Sequence, residues 1–175
     1  MNIRIGPITW CILSAALFGL SPAFCKILLG ENVGALALAS LLYLGAGLGT
    51  LPFSLRKAPV APKRAETMRL ALAVLFGGVL GPICLMVGLK QSDAGSASLL
   101  LNFESVATVI LGWLFFKEHV SRSVFFACLL VVFGGAWVSL PGELVLNPGS
   151  IWILLGCLCW GVDNHVTSVI DGYTP

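Results

Sequence analysis

Residues 95–116 read Gly95-Ser-Ala-Ser-Leu-Leu-Leu-Asn-Phe-Glu104-Ser-Val-Ala-Thr-Val-Ile-Leu-Gly-Trp-Leu-Phe-Phe116, 22 residues with a single charge. A helix crossing a bilayer needs about 20 mostly apolar residues. The 11 Leu, Ile, Val and Phe side chains of this stretch favour insertion by roughly 0.3–0.6 kcal/mol each at a central position, about 3–7 kcal/mol together. One acidic group costs roughly 2.5–3.5 kcal/mol. The segment therefore inserts despite Glu104, its tenth residue, which falls near the midplane where so short a side chain cannot reach the headgroups.

Outward from this stretch the pattern repeats. Charges and turn residues divide the chain into six spans: Pro7–Leu29, Val33–Leu55, Leu70–Leu89, Gly95–Phe116, Ser123–Leu140 and Ser150–Ile170. Each is expected to be a helix, because only helices and closed barrels satisfy their own backbone in lipid, and strand alternation is absent. Of the 175 residues, 58% are hydrophobic and 10% charged, with mean hydropathy +0.98. A soluble domain carries about 25% charged residues and could not bury so much apolar surface. A soluble enzyme, a nucleic-acid binder and a disordered chain are poor readings, and the chain is read as an all-α integral membrane protein.

The basic residues set the orientation. Arg4, Arg56, Lys57, Lys63, Arg64, Arg69, Lys117 and Arg122 share one side, and Lys90 lies in a loop on the other. The positive-inside rule places the N-terminus and the even loops in the cytoplasm. The first span is longer than the apolar core of a signal peptide, and Lys26 with Pro22 makes a poor cleavage context. All six cysteines fall in apolar stretches, and Cys157-x-Cys159 has no second ligand pair; packing explains them, and no metal or cofactor is expected.

Shifting the chain by 142 residues lays the first span over the sixth: Trp10 on Trp152, Leu13 on Leu155, Phe18 on Trp160 and Gly19 on Gly161, then Ser21 on Asp163 and Pro22 on Asn164. A unit of five spans is odd, so its second copy enters the membrane inverted. Inverted repeats with helices interrupted at matching positions mark secondary transporters. The expected organisation is a first five-helix repeat over residues 1–140 and the start of an inverted second repeat over 141–175, in a chain cut short.

Three charges stand within spans: Lys26, Glu104 and Asp163. Ser98, Asn102 and Ser105 recur at helical spacing beside Glu104, with Thr108 one turn beyond it, a stripe suited to a cavity or another helix. Glu104 is a candidate for binding and releasing a proton during transport, or for a plain interhelical hydrogen bond. In the sixth span, Trp160-Gly-Val-Asp163-Asn164-His165 is expected to interrupt the helix. There Asp163 and Asn164 would line a pocket and Trp160 would offer an aromatic face. Lys26 suits the interface or a substrate contact equally, and Gly19, Ser21 and Pro22 could open the first helix. Gly45-x-x-x-Gly49 and Gly77-x-x-x-Gly81 allow close helix contacts. No catalytic constellation appears.

The chain resembles, over essentially all of its 175 residues and most specifically in the block from Gly88 to Leu140, the EamA-type family of the drug/metabolite transporter superfamily. Its most specific parts are Gly88-Leu-Lys-Gln-Ser-Asp-Ala-Gly-Ser-Ala-Ser-Leu-Leu-Leu-Asn-Phe-Glu104 and Trp113-Leu-Phe-Phe-Lys-Glu118. The family often has proline near Glu104, and the acidic residue resembles a subset of members. Leu158-Cys-Trp-Gly-Val-Asp-Asn-His-Val-Thr167 is similar to that subset's Trp-Gly-x-Asp-Asn element, and Glu118 matches a recurrent glutamate that anchors the short cytoplasmic turn. The resemblance implies ten helices in two inverted halves of a multi-pass inner-membrane protein that moves small metabolites or drugs, often outward.

The reading is thus a secondary transporter working by alternating access on a small-molecule solute, with protons as a coupling ion and the bilayer as its medium. Its site residues would be Glu104, Asp163, Asn164, Trp160, Lys26 and Asn102. Two rivals stand beside it: a homodimeric exporter of the small multidrug type centred on Glu104, which the one-sided loop charge opposes, and a non-transport membrane scaffold.

Overall fold

The computed structural model describes residues 6–31, 33–55, 64–139 and 148–170, and no strand occurs among the described residues. In chain order they form α1 (Pro7–Gly30), α2 (Ala35–Ser54), α3 (Arg64–Ala73), a π-helical segment (Val74–Leu80), α4 (Gly81–Gln91), α5 (Ala94–Leu101), α6 (Phe103–Phe116), α7 (Arg122–Ser139) and α8 (Pro148–Ser168). Four stretches are long and apolar enough to cross a membrane: Ile8–Gly30, Ala35–Ser54, Glu66–Gln91 and Ala94–Phe115. A shorter apolar helix covers Arg122–Gly135. In α8 the apolar run is diluted by Asp163, Asn164 and His165. Leu140, the expected end of the fifth span, and the basic residues Arg4, Arg56, Lys57 and Lys63 lie outside the described residues.

Local chemistry explains where these helices start. Pro7 occupies the first turn of α1, where a missing N–H costs nothing. Asp93 caps α5, its Oδ1 accepting the Ser96 N–H at 2.8 Å. The third span begins at Arg64 rather than at Leu70, so Arg69 sits in a helix instead of a loop. Its guanidinium donates to the Val169 carbonyl at 2.7 Å, tying the start of α3 to the end of α8.

Both expected interruptions are absent. α1 runs through Pro22, and α8 runs unbroken through Trp160–His165. Pro22 withdraws the donor owed to the Phe18 carbonyl, and the Ser21 hydroxyl donates there instead at 2.8 Å. In α8 Trp160, Asn164 and His165 find partners on adjacent helices, so the backbone has no reason to unwind. The irregular turns lie in the third and fourth spans. At Asn102 the fourth span tightens between α5 and α6, the Asn102 N–H reaching the Leu99 carbonyl three residues back at 3.1 Å. In the π segment the Gly81 N–H donates to Phe76 O, five residues back. The same register asks residue 82 to serve the Gly77 carbonyl, and residue 82 is a proline with no N–H.

α8 is the centre of the bundle, packed on α4, the π segment and α6, with α3 and α5 at its margins. α1 and α2 lean on α4 from the far side, and α7 meets the rest through α5 and α6. The buried cluster joins Cys25 and Leu29 of α1, Leu38 and Ala39 of α2, Leu85, Met86 and Leu89 of α4, and Ala97 and Leu101 of α5 to Ile153 and Cys157 of α8. Lipid is as apolar as leucine, so helices in it associate by close contact of small residues rather than by escape from water. The α4–α8 seam is built that way: a Cβ on Gly88 would stand 2.6 Å from the Gly149 carbonyl, and one on Gly156 would stand 3.2 Å from the Gly81 carbonyl. All six cysteines are free thiols, with Cys25, Cys84 and Cys157 buried in the packing.

Candidate functional site

α8 turns two polar faces to two neighbours. Trp160 and Asp163, three residues apart, lie on the face toward the π segment. Gly161, Asn164 and His165 lie on the face toward α6.

On the first face the chemistry centres on the Gly77 carbonyl that Pro82 leaves without its helical donor. Tyr43 of α2 donates its hydroxyl to that oxygen at 2.9 Å, and Trp160 donates its indole Nε1–H at 3.1 Å. One carbonyl with two lone pairs thus joins α2, the π segment and α8. The Asp163 carboxylate lies against Gly77 so closely that a Cβ there would collide with it, and a Cβ on Gly81 would stand 2.7 Å from Trp160 Nε1. These glycines are the space in which the two polar side chains sit.

On the second face Asn164 Nδ2 donates to Glu104 Oε1 and to Thr108 Oγ1, both at 3.2 Å. The Thr108 hydroxyl spends its own proton on the Glu104 carbonyl at 2.9 Å, so its lone pair is available to Asn164. At the next residue, His165 Nε2 lies 2.7 Å from the Thr108 carbonyl and Nδ1 lies 3.4 Å from Glu118 Oε1. Glu118 follows Lys117, whose φ of 54° is left-handed, and its N–H reaches back to Gly112 O at 3.1 Å. The turn after α6 is thereby fastened to α8. A Cβ on Gly112 would stand 2.7 Å from both Glu118 Oε2 and His165 Cε1.

The structure therefore brings Glu104, Asp163, Asn164 and Trp160 to one level of the bundle, and it leaves Lys26 and Asn102 elsewhere. Lys26 Nζ donates to the Leu89 and Lys90 carbonyls at 2.9 and 3.2 Å. It caps the carbonyl end of α4, where a helix favours a cation, apart from the polar contacts of Asn164. Asn102 spends its amide on the Ser98 and Leu99 carbonyls of its own helix, at 3.2 Å each. Tyr43 is the residue that sequence reasoning missed. The available signal was its rarity, since the chain has only two tyrosines and this one interrupts an apolar span. Among the described residues, no three His, Cys, Asp or Glu side chains group as metal ligands.

The model of the EamA-like transporter family matches residues 6–140. An uncharacterized transporter of Methanothermobacter thermautotrophicus is 24% identical over 182 residues, an alignment that takes in 91% of this chain and 52% of that protein. The chain thus spans about half the length of this relative. No solved structure matches it.

Proposed function

The chain belongs to the EamA-like transporter family, and on that premise we propose that it is part of a secondary transporter exporting small metabolites or drugs by alternating access. In this reading six helices cross the inner membrane from a cytoplasmic N-terminus. The first five form one repeat, and α8 opens an inverted second repeat. Glu104, Asp163, Asn164, Trp160 and Tyr43 form the polar surface that meets the solute, and Glu104 carries the coupling proton.

The observation that carries this reading is the Glu104–Asn164 contact at 3.2 Å. A carboxyl near the midplane of one helix meets a polar group on the central helix, and both remain partly accessible rather than sealed in the packing. An ionisable group in a span is costly to keep, and such groups generally face a bundle interior or watery cavity and serve ion or substrate paths. Asn164 supports Glu104 in either protonation state: its amide can donate to a carboxylate, and its carbonyl can accept from a carboxylic acid. Lys26 positions α4, the helix that abuts α8.

The experiment is Glu104→Gln in the full-length carrier, reconstituted in vesicles with an imposed pH gradient and a metabolite panel. Glutamine keeps the shape and an acceptor for Asn164 but cannot exchange a proton. The expected result is transport that no longer responds to the gradient while solute binding persists. Transport with an unchanged pH response removes Glu104 as the coupling group.

A further inference from the structure

We propose that the groove between α6 and α7 is a binding site for an anionic phospholipid, one acyl chain lying in the groove and the phosphate resting on Arg122 and Lys117. This goes beyond the transport reading and does not depend on it. The groove has a volume of about 810 Å³ and is walled by Val106, Ile110, Trp113, Phe125, Leu129 and Val132, with Arg122 at one end. Its size falls within the roughly 300–1,000 Å³ of pockets that hold small organic ligands.

Length and charge identify the occupant. From Arg122 to Val132 the lining follows α7 for about 15 Å, at 1.5 Å of rise per residue. That is the depth of one leaflet in a hydrocarbon core about 30 Å thick. The cation stands at the helix start, where headgroups lie, and the walls below it are aliphatic and aromatic apart from the Cys128 thiol. A second, more polar pocket of about 620 Å³ adjoins the first, shares Trp113 and Val120 with it, and adds Lys117. Glu118 and His119 also line this pocket. Glu118 Oε1 lies 3.4 Å from His165 Nδ1, and against this one carboxylate the mouth sets two cations, Lys117 and Arg122. A slot that is apolar along its length and cationic at its mouth fits a chain with an anionic head. Basic pockets at helix ends are used in this way by membrane proteins.

The test uses the full chain in phosphatidylcholine vesicles containing brominated-chain phosphatidylglycerol or, at equal mole fraction, brominated-chain phosphatidylcholine. Bromine quenches tryptophan at close range, and the share due to Trp113 is the difference between the parent and Trp113→Phe. The expected result is preferential quenching of Trp113 by phosphatidylglycerol, by about thirtyfold in apparent affinity, as two basic residues facing anionic lipid provide. The preference disappears in Lys117→Gln/Arg122→Gln and persists in Arg122→Lys. Should the double variant fail to fold, the unaltered chain serves: its preference must vanish at about 1 M salt, where the screening length is about 3 Å. Equal quenching by both lipids means ordinary boundary lipid and overturns the proposal. A preference that survives the double variant or high salt also overturns it, as does the absence of quenching by either lipid, which means that protein covers the groove.

Discussion

α1 and α8 carry the same frame, Trp-x-x-Leu followed by an aromatic and a glycine, yet they occupy opposite environments. Around Gly19 of α1 no atom beyond its chain neighbours and its own helix backbone lies within 4 Å of an added Cβ, whereas at Gly161 of α8 the Leu111 Cδ1 stands at 2.9 Å and the Thr108 nitrogen at 3.2 Å. Phe18 is 56% exposed, while its counterpart Trp160 is half-buried with its indole nitrogen bonded to Gly77. The contrast teaches that the shared frame specifies a helix with a small residue at one place, and that a neighbour decides whether the small residue is used. α8 has found its neighbours in α4, the π segment and α6. Under the proposed inverted repeat, α1 would find the equivalent neighbours in a second half.

The sharpest way to break this comparison is to place the same bulk on both helices. Gly161→Leu should destabilise by about 3 kcal/mol, the upper part of the range for overpacking a filled contact. Gly19→Leu should stay within about 0.5 kcal/mol, as an exposed substitution does. Reversible unfolding of helix content in mixed micelles, followed by circular dichroism, measures both. Equal losses would mean that the two helices are packed alike.

A second test concerns the one charge by which α1 holds α4. Lys26→Met keeps the stem and removes the ammonium from the Leu89 and Lys90 carbonyls, and should cost about 1.5 kcal/mol, the lower end for hydrogen bonds to a charged group. No measurable loss in the same assay would mean that the ammonium does not hold α4.

Asp93 supplies a reference outside both helices. Asp93→Ala removes the α5 cap and should cost about 1 kcal/mol. The Ser96 hydrogen bonds, from side chain and backbone, hold the Asp93 carboxyl below its ordinary value. A depressed folded-state value means that the contribution is complete above the unfolded value of about 3.9 and is lost as pH falls through the lower folded value. The difference between parent and Asp93→Ala should therefore be constant near neutrality and shrink only under acid.

The smallest effects should come from the donors on Gly77. Tyr43→Phe and Trp160→Phe should each cost about 0.6 kcal/mol, the mean for hydrogen bonds between membrane helices. Because both donate to one oxygen, the double variant should cost more than the sum, since only then is the carbonyl empty. Strict additivity would mean that the two donors do not share the acceptor.

Much of the fold is legible in the sequence because insertion in lipid is a local property. Four of the apolar runs are long enough by themselves, and each backbone must satisfy itself within its helix. Glu104, Asp163 and Asn164 stood out for the same reason, as polar groups that lipid penalises wherever they sit. The expected unwinding at Trp160–His165 failed because that rule says only that such groups need partners, and Glu104 and Thr108 provide them with the helix intact. The two Gly-x-x-x-Gly motifs show the same limit. Gly77 and Gly81 receive Asp163 and Trp160, while Gly45 and Gly49 have nothing within 4 Å.

By itself, then, the sequence determined that the chain is helical and belongs in a membrane, and which side chains cannot face acyl tails. Tertiary structure alone decided that α8 is central, that Lys26 caps α4, and that Pro82 and Tyr43 meet at the Gly77 carbonyl. The physical reason is range. Transfer into lipid is a sum over residues taken one at a time, whereas a hydrogen bond or a glycine contact exists only between two elements, and its partners lie as far apart in the chain as residues 77 and 160.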